Sequence, residues 1–382
     1  MPADPARPSR QWPLYAGGFL GPFGGGMVTP MIPELRDGLH TTLSVAATSL
    51  TVYMVPFAIF MVVSGTLAER WGRRRTVLAA YLTYAVASLL CALAPHVSLF
   101  MVGRAGQGIA NAFTTPILMA ALTDLTPPQR LGRALGLFGS LQAAGLAFAP
   151  LVGGLAAMAD WRWAFVVTFV AALALATQPP ADVRRGADSV VGGWSALVNS
   201  RLVLACVIAA LAYLTTVGIT LQSALLAADR FELSPGWRGA VVAVFGAAGL
   251  LAGGSMGHRL DRVGVRRFGL LAYGLLAVGS VLAGLSPWLL VLVAALAVSG
   301  VAGLAARVTV NSLAVRSTPD NRGGAASLML ACQFLGGAVA PVVLIPVYRQ
   351  SATLGLAVGA VFGLVAAAVL LAAPARWVDA PA

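Results

Sequence analysis

The side chains able to do chemistry are few, and their types point to reversible ionic contacts rather than to bond making. Among 382 residues there are 25 basic side chains, every one Arg, against 13 acids, three His and three Cys. The stretch Gly65–Arg75, G-T-L-A-E-R-W-G-R-R-R, follows an apolar run and carries Glu69, Arg70 and Arg73. As a block of charge it is a stop signal that holds a loop on one side of a barrier. Charge alone does not need Gly65 four residues before Glu69, nor Gly72 at the bend; glycine allows close helix approach and a tight turn, which is what a gate needs. The string returns 192 residues later as Gly257–Arg267, G-H-R-L-D-R-V-G-V-R-R. This copy keeps Gly257, Asp261, Arg262 and Gly264, but has Val265 in the place of Arg73 and Arg316 in the place of Asp124. We expect the second gate to be weaker or differently wired.

Other polar residues lie inside apolar runs. Arg104, Gln107, Asn111 and Thr115 follow helical spacing, as do Gly300, Gly303, Arg307 and Asn311 in a later run. Thr216, Thr220 and Gln222 share one run, Gln142 and Gln333 hold matched places in two others, and Tyr53 lies in an earlier one. Each has two readings, as the lining of a wet cavity or as a hydrogen-bonding partner for a neighbouring helix. Arg307 either snorkels to an interface or meets a solute. No Asp or Glu falls near the middle of a run: Glu34, Asp124 and Asp229 sit at the ends. A proton-carrying site uses a carboxylate whose pKa burial raises, and arginine stays charged. Glu34 and Asp124 are therefore the candidates for proton coupling, and a cavity lined by arginines without acids should favour neutral or anionic amphipathic solutes over lipophilic cations.

The same inventory argues against an enzyme. There is no H-E-x-x-H metal motif, no G-x-S-x-G, no carboxylate pair within a run and no phosphate-binding loop. No cofactor or metal is expected, and His40, His96 and His258 are scattered in loops. Cys91, Cys206 and Cys332 fall in apolar runs and read as small hydrophobes.

The elements that must position these residues are helices in lipid. The chain is 59% apolar and 10% charged, with mean hydropathy +0.85; a soluble domain carries about 25% charged residues. The net charge of +12 sits in short loops rather than on one face, so nucleic acid is not the expected partner. Twelve apolar runs are long enough to span a bilayer: 13–34, 44–67, 76–95, 98–122, 133–157, 162–178, 200–227, 236–257, 268–286, 288–314, 324–347 and 353–374. The first lacks a small-residue cleavage site and is expected to remain as an uncleaved span. With the N-terminus in the cytoplasm, cytoplasmic segments hold 18 arginines, outer loops hold five (Arg36, Arg162, Arg230, Arg238 and Arg349) and spans hold two, as the positive-inside rule requires. Both termini are then cytoplasmic in a multi-pass protein of the cell membrane.

The shift of 192 also sets Thr126–Ala134 on Thr318–Ala326, and, one residue off, Gln142–Pro150 on Gln333–Pro341. Three matched blocks in order make two parallel six-helix bundles, residues 1–178 and 200–382, joined by a cytoplasmic linker over 179–199 that is rich in Pro, Gly and charge. Parallel halves of this kind place a site between them.

At these residues the chain resembles the major facilitator superfamily. Gly65–Arg75 is similar to the family's loop 2–3 motif, with Glu69 where Asp is usual. R-A-G-Q-G (Arg104, Gln107, Gly108) resembles its span-four arginine motif. G-L-A-F-A-P-L-V-G-G (Gly145–Gly154) resembles the antiporter motif of drug exporters, with Ala149 in place of the Gly before Pro150. F-G-G-G-M-V-T-P-M-I-P (Phe23–Pro33) and W-R-W-A-F (Trp161–Phe165) are similar to elements of the twelve-span drug:proton antiporter branch. The resemblance implies an all-α membrane fold and export of small, drug-like molecules by alternating access, powered by the proton gradient. It implies a monomer whose partners are its small-molecule substrate and the bilayer. It also implies that Gly65 packs span two against span eleven, that Glu69 lies near the start of span eleven, and that Arg73 pairs with Glu69 and Asp124. An uptake symporter or facilitator for a small anionic metabolite is the alternative within the class. A membrane enzyme or a sensor is the alternative outside it, and a sensor would normally carry a soluble domain, for which the tails are short.

Overall fold

The computed structural model describes residues 11–180, 197, 199–318 and 321–378. Of the linker expected over 179–199, residues 181–196 and 198 lie outside the described residues.

Span one is broken because its sequence is. Gly21, Pro22, Gly24–Gly26, Pro30 and Pro33 interrupt the helical hydrogen bonds, leaving α1 (Trp12–Leu20), α2 (Phe23–Gly26), a 3-10 turn (Thr29–Met31) and α3 (Ile32–Gly38). Span two is one helix, α4 (Leu43–Trp71), capped by the Thr42 hydroxyl on the Val45 amide. Span three, α5 (Arg73–Leu93), follows after the single residue Gly72. Span four breaks at Phe113 and Thr114, ahead of Pro116, into α6 (Val97–Ala112) and α7 (Thr115–Leu125). Spans five and six are α8 (Pro128–Ala157) and α9 (Arg162–Ala176). The second bundle is α10 (Ser200–Asp229), α11 (Pro235–Val263), α12 (Val265–Leu285), α13 (Leu289–Ser317), α14 (Arg322–Tyr348) and α15 (Ala352–Ala372), followed by a short α16 (Ala375–Val378). Nine of the described helices are long and apolar enough to cross a bilayer unaided; spans one, four and six complete twelve.

The charged loop after span two is shorter than the apolar pattern suggests. Helix continues through Glu69 and Arg70 and resumes at Arg73, because Gly72 reverses the chain alone with φ +87°. Gly264, 192 residues on, does the same with φ +86°, and among the described residues these are the only glycines at positive φ. L-residues rarely adopt this conformation, so the sequence repeat is a repeat of backbone geometry.

The chain crosses back and forth, so the bundle has an arginine-rich face, where Gly72 and Gly264 lie, and an opposite face with the loops near His40, His96 and Trp288. Large apolar side chains such as Val86, Val102, Leu251 and Leu290 are exposed on the outside, as lipid-facing residues should be. The two bundles meet along α8 against α11 and α4 against α14.

Candidate functional site

The first bundle buries its arginine. Arg104, on α6, is fully buried. Its guanidinium donates to the carbonyls of Gly24 (2.8 Å) and Ser49 (3.4 Å) and to Oε1 of Gln107 (2.7 Å), and it lies 4.6 Å over the Tyr53 ring. Gln107 passes the network to Ser88, and Asn111 donates to the Gly21 carbonyl (2.8 Å) and to the Tyr53 hydroxyl (2.6 Å). The carbonyls of Gly21 and Gly24 belong to the broken part of span one. Backbone acceptors freed in lipid must find donors, and span four supplies them. Tyr53, Arg104, Gln107 and Asn111, expected on a cavity wall, are thus packed inside the first bundle, where they tie spans one, two and four together. Thr115 is half-buried beside Gly21.

The second bundle presents its arginine to open space. A cleft that opens to solvent lies between the bundles. Arg307 (α13), Tyr213 and Thr216 (α10) and Gln333 (α14) are its polar residues. Phe245, Leu250 and Leu304 give it an apolar side, and α8 closes it from the first bundle with Ala143 and Leu146. Among the described residues no carboxylate pairs with Arg307. Ten residues separate it from Ser317 at the helix end, about 15 Å of helix, which is further than its side chain reaches. Arg307 therefore lies well inside its helix.

The remaining sequence candidates lie around this cleft without lining it. The Thr220 hydroxyl turns back to the Thr216 and Val217 carbonyls. Gln222 is buried towards Gly355 and Gly359 of α15, with neither amide atom hydrogen-bonded. Gln142 is half-buried, and Asn311 is exposed.

Contact between the bundles is confined to the opposite face and the middle. A Cβ added at Gly154 would collide with the Pro235 carbonyl, one at Gly239 with the Pro150 carbonyl, and one at Gly246 with the backbone of Ala147. Main chain meets main chain along this seam. Between α4 and α14, Thr51 donates to the Ala338 carbonyl at 2.6 Å, and the rings of Phe57 and Phe334 meet edge to face at 4.5 Å. Towards the arginine-rich face the contact ends, and added Cβ atoms at Gly132, Gly136, Gly139, Gly254 and Gly257 would meet nothing within 4 Å. Gly65 is equally open, so the contact expected of it with span eleven is absent from this arrangement, in which the bundles have parted at that end.

An ion pair crosses the seam at the opposite face. Arg238, in the first turn of α11 and 2% exposed, pairs through Nη2 with Oε1 of the half-buried Glu34 on α3. Glu34 Oε2 and Arg238 Nε are buried without a hydrogen-bond partner. Nearby Arg36 is occupied: it donates to both oxygens of Asp37 (2.7 and 3.0 Å), and this hydrogen bonding, ahead of the Coulomb attraction, lowers the Asp37 pKa. In the sequence Arg238 reads as one of five outer-loop arginines, without a role of its own. The signal for it was an arginine at the mouth of an apolar run on the side that arginines avoid.

On the arginine-rich face Arg73 is buried and pairs with Asp124 at the end of α7, with Glu69 a further 3.9 Å away. All three belong to the first bundle. In the second copy Asp261 and Arg262 are exposed, and Arg266 donates to the Ala373 carbonyl after α15. The second turn is held by an arginine on a backbone carbonyl where the first uses an arginine on a carboxylate.

Residues 14–341 match the family model of the Major Facilitator Superfamily. A multidrug resistance protein B homolog of Mycobacterium tuberculosis is 35% identical over 128 residues, 33% of this chain and 24% of that protein. A puromycin resistance protein of Streptomyces alboniger is 31% identical over 171 residues, 44% of this chain and 34% of that protein. The match therefore spans about a quarter to a third of the length of these curated relatives. Among solved structures, a bacterial homolog of the human lysosomal transporter Spinster, inward-facing and occupied, superposes with a TM-score of 0.76 over 100% of both chains at 16% identity. At that identity the likeness is one of fold.

Proposed function

The chain belongs to the major facilitator superfamily, and we propose that it is a secondary transporter that exports small organic, amphipathic molecules by alternating access. The observation that carries this reading is the cleft between the bundles, sealed towards the opposite face by the α8–α11 seam and parted towards the arginine-rich face. A solute bound there is reachable from one side only, which is one half of an alternating-access cycle. The arginine bias puts the parted side, with both termini, in the cytoplasm, so the arrangement is the one in which an exporter loads. Names among the relatives that refer to drug resistance favour export over uptake.

Proton coupling, where it operates, runs through Glu34 or Asp124. Glu34 is tied to Arg238 across the seam, and Asp124 to Arg73 within the first bundle. Protonating either carboxylate loosens an ion pair, so proton binding would bias which side is open. The Arg73–Asp124 brace would complete a cross-bundle gate when Gly65 and Glu69 meet span eleven on closing.

The test is purified protein in liposomes with an imposed pH gradient and a panel of anionic, neutral and cationic amphiphiles. Wild type should move at least one class against its gradient, and Glu34→Gln or Asp124→Asn should uncouple that movement from pH. Movement of no solute, or uptake only, would overturn the reading.

A further inference from the structure

We infer that the cleft is a binding site for amphipathic organic anions, with a carboxylate or sulfonate held by Arg307 and an apolar body laid against Phe245 and Leu304. The inference rests on the transporter reading and names the class of solute.

The two span arginines make the case by contrast. Arg104 is wholly buried, with Nε and Nη1 engaged by the oxygens of Ser49, Gly24 and Gln107 and only Nη2 unpartnered. Arg307 lines the cleft and has no acid beside it among the described residues. A charge inside a span is costly unless it is paired or wet. Its guanidinium fork matches a carboxylate or sulfonate with two parallel hydrogen bonds. Gln333 stands in the same wall with an amide N–H for a remaining oxygen. Phe245 and Leu304, with Leu146 across the seam, supply the apolar contact an amphiphile needs. A lipophilic cation would meet Arg307 as a like charge, with no carboxylate in the wall to offset the repulsion. The site draws on both bundles, since Ala143 and Leu146 belong to α8, so an occupant there would contact both moving parts.

The test uses a matched trio that differs only in head group: radiolabelled naphthalene-2-carboxylate, naphthalene-2-carboxamide and naphthalen-2-ylmethylammonium. Binding to purified wild type should rank the carboxylate at least tenfold tighter than the carboxamide, with the ammonium weakest. Arg307→Ala should weaken the carboxylate at least tenfold and leave the carboxamide unchanged, and Arg307→Lys should restore part of the preference. Should the alanine variant fail to fold, Arg307→Gln, of similar length and uncharged, carries the same comparison. Equal affinity for carboxylate and carboxamide in wild type, or a carboxylate affinity indifferent to Arg307, overturns the inference. A wild type that moves neutral or cationic solutes in liposomes but ignores the carboxylate overturns the anion site alone and leaves the transporter reading standing. Carboxylate binding by a protein that moves nothing does the reverse.

Discussion

Neutralising Glu34 should release the opposite face. The pair with Arg238 is the ionic contact that the structure places across the seam there. Arg238 is 3% and Glu34 26% exposed at the side chain, so solvent screens the pair only partly. A hydrogen bond to a charged group is worth about 1.5–3 kcal/mol net. The pair cannot persist once the bundles separate at this end, so its whole value bears on the closed state. At 1.4 kcal/mol per decade, Glu34→Gln shifts the closed-to-open ratio by about 10- to 150-fold towards open. Arg238→Gln should do the same. The double variant should be milder than the sum, because it leaves no charge stranded. His96 and Trp288 are exposed on this face in different bundles. Spin labels at His96→Cys and Trp288→Cys, with the three native cysteines replaced by Ala, would report the separation in liposomes by pulsed dipolar spectroscopy. A longer-distance population should appear in each single variant. Identical distance distributions in wild type and both single variants would refute the latch.

Four further outcomes follow from the packing. Gly239→Leu places a side chain where the Pro150 carbonyl stands; transport should fall at least tenfold while the purified protein stays monodisperse, and the same label pair should read open. Asp124→Asn leaves the buried Arg73 with only Glu69 at 3.9 Å; breaking a buried pair costs about 3 kcal/mol, about 6–12 °C of melting temperature for a bundle of this size, read by thermal unfolding in detergent. Arg104→Met strands the carbonyls of Gly24 and Ser49 and the Gln107 amide, and should cost about 3 kcal/mol or more at 1–3 kcal/mol per orphaned group. Arg307→Met removes none of these bonds and should stay within about 1 kcal/mol of wild type in the same assay.

The span pattern was readable because lipid imposes it: a run of apolar residues must be helical there. The 192-residue shift announced the twin turns at Gly72 and Gly264, whereas the break in span one at its glycines and prolines was not read from the run 13–34. What each polar residue faces was not readable. Arg104 and Arg307 look alike in sequence, each inside an apolar run with polar neighbours at helical spacing. Their fates differ because span one, broken beside Arg104, has a bare carbonyl at Gly24 to offer it. The Glu34–Arg238 pair joins residues 204 positions apart, and no local pattern encodes such a distance. Gly65 illustrates a third limit: the contact with span eleven that the family resemblance implies is not made in this arrangement.

The bare seam between α8 and α11 bears on how cheaply this molecule can change shape. Where Gly154, Gly239 and Gly246 bring peptide against peptide, few side chains interlock, so separating the surfaces there requires little repacking of rotamers. Two smooth plates can be tipped apart and reset without memory of the previous stroke. The balance between tipped and reset can then be governed by a handful of rim contacts, and a single charge gained or lost is enough to tilt it.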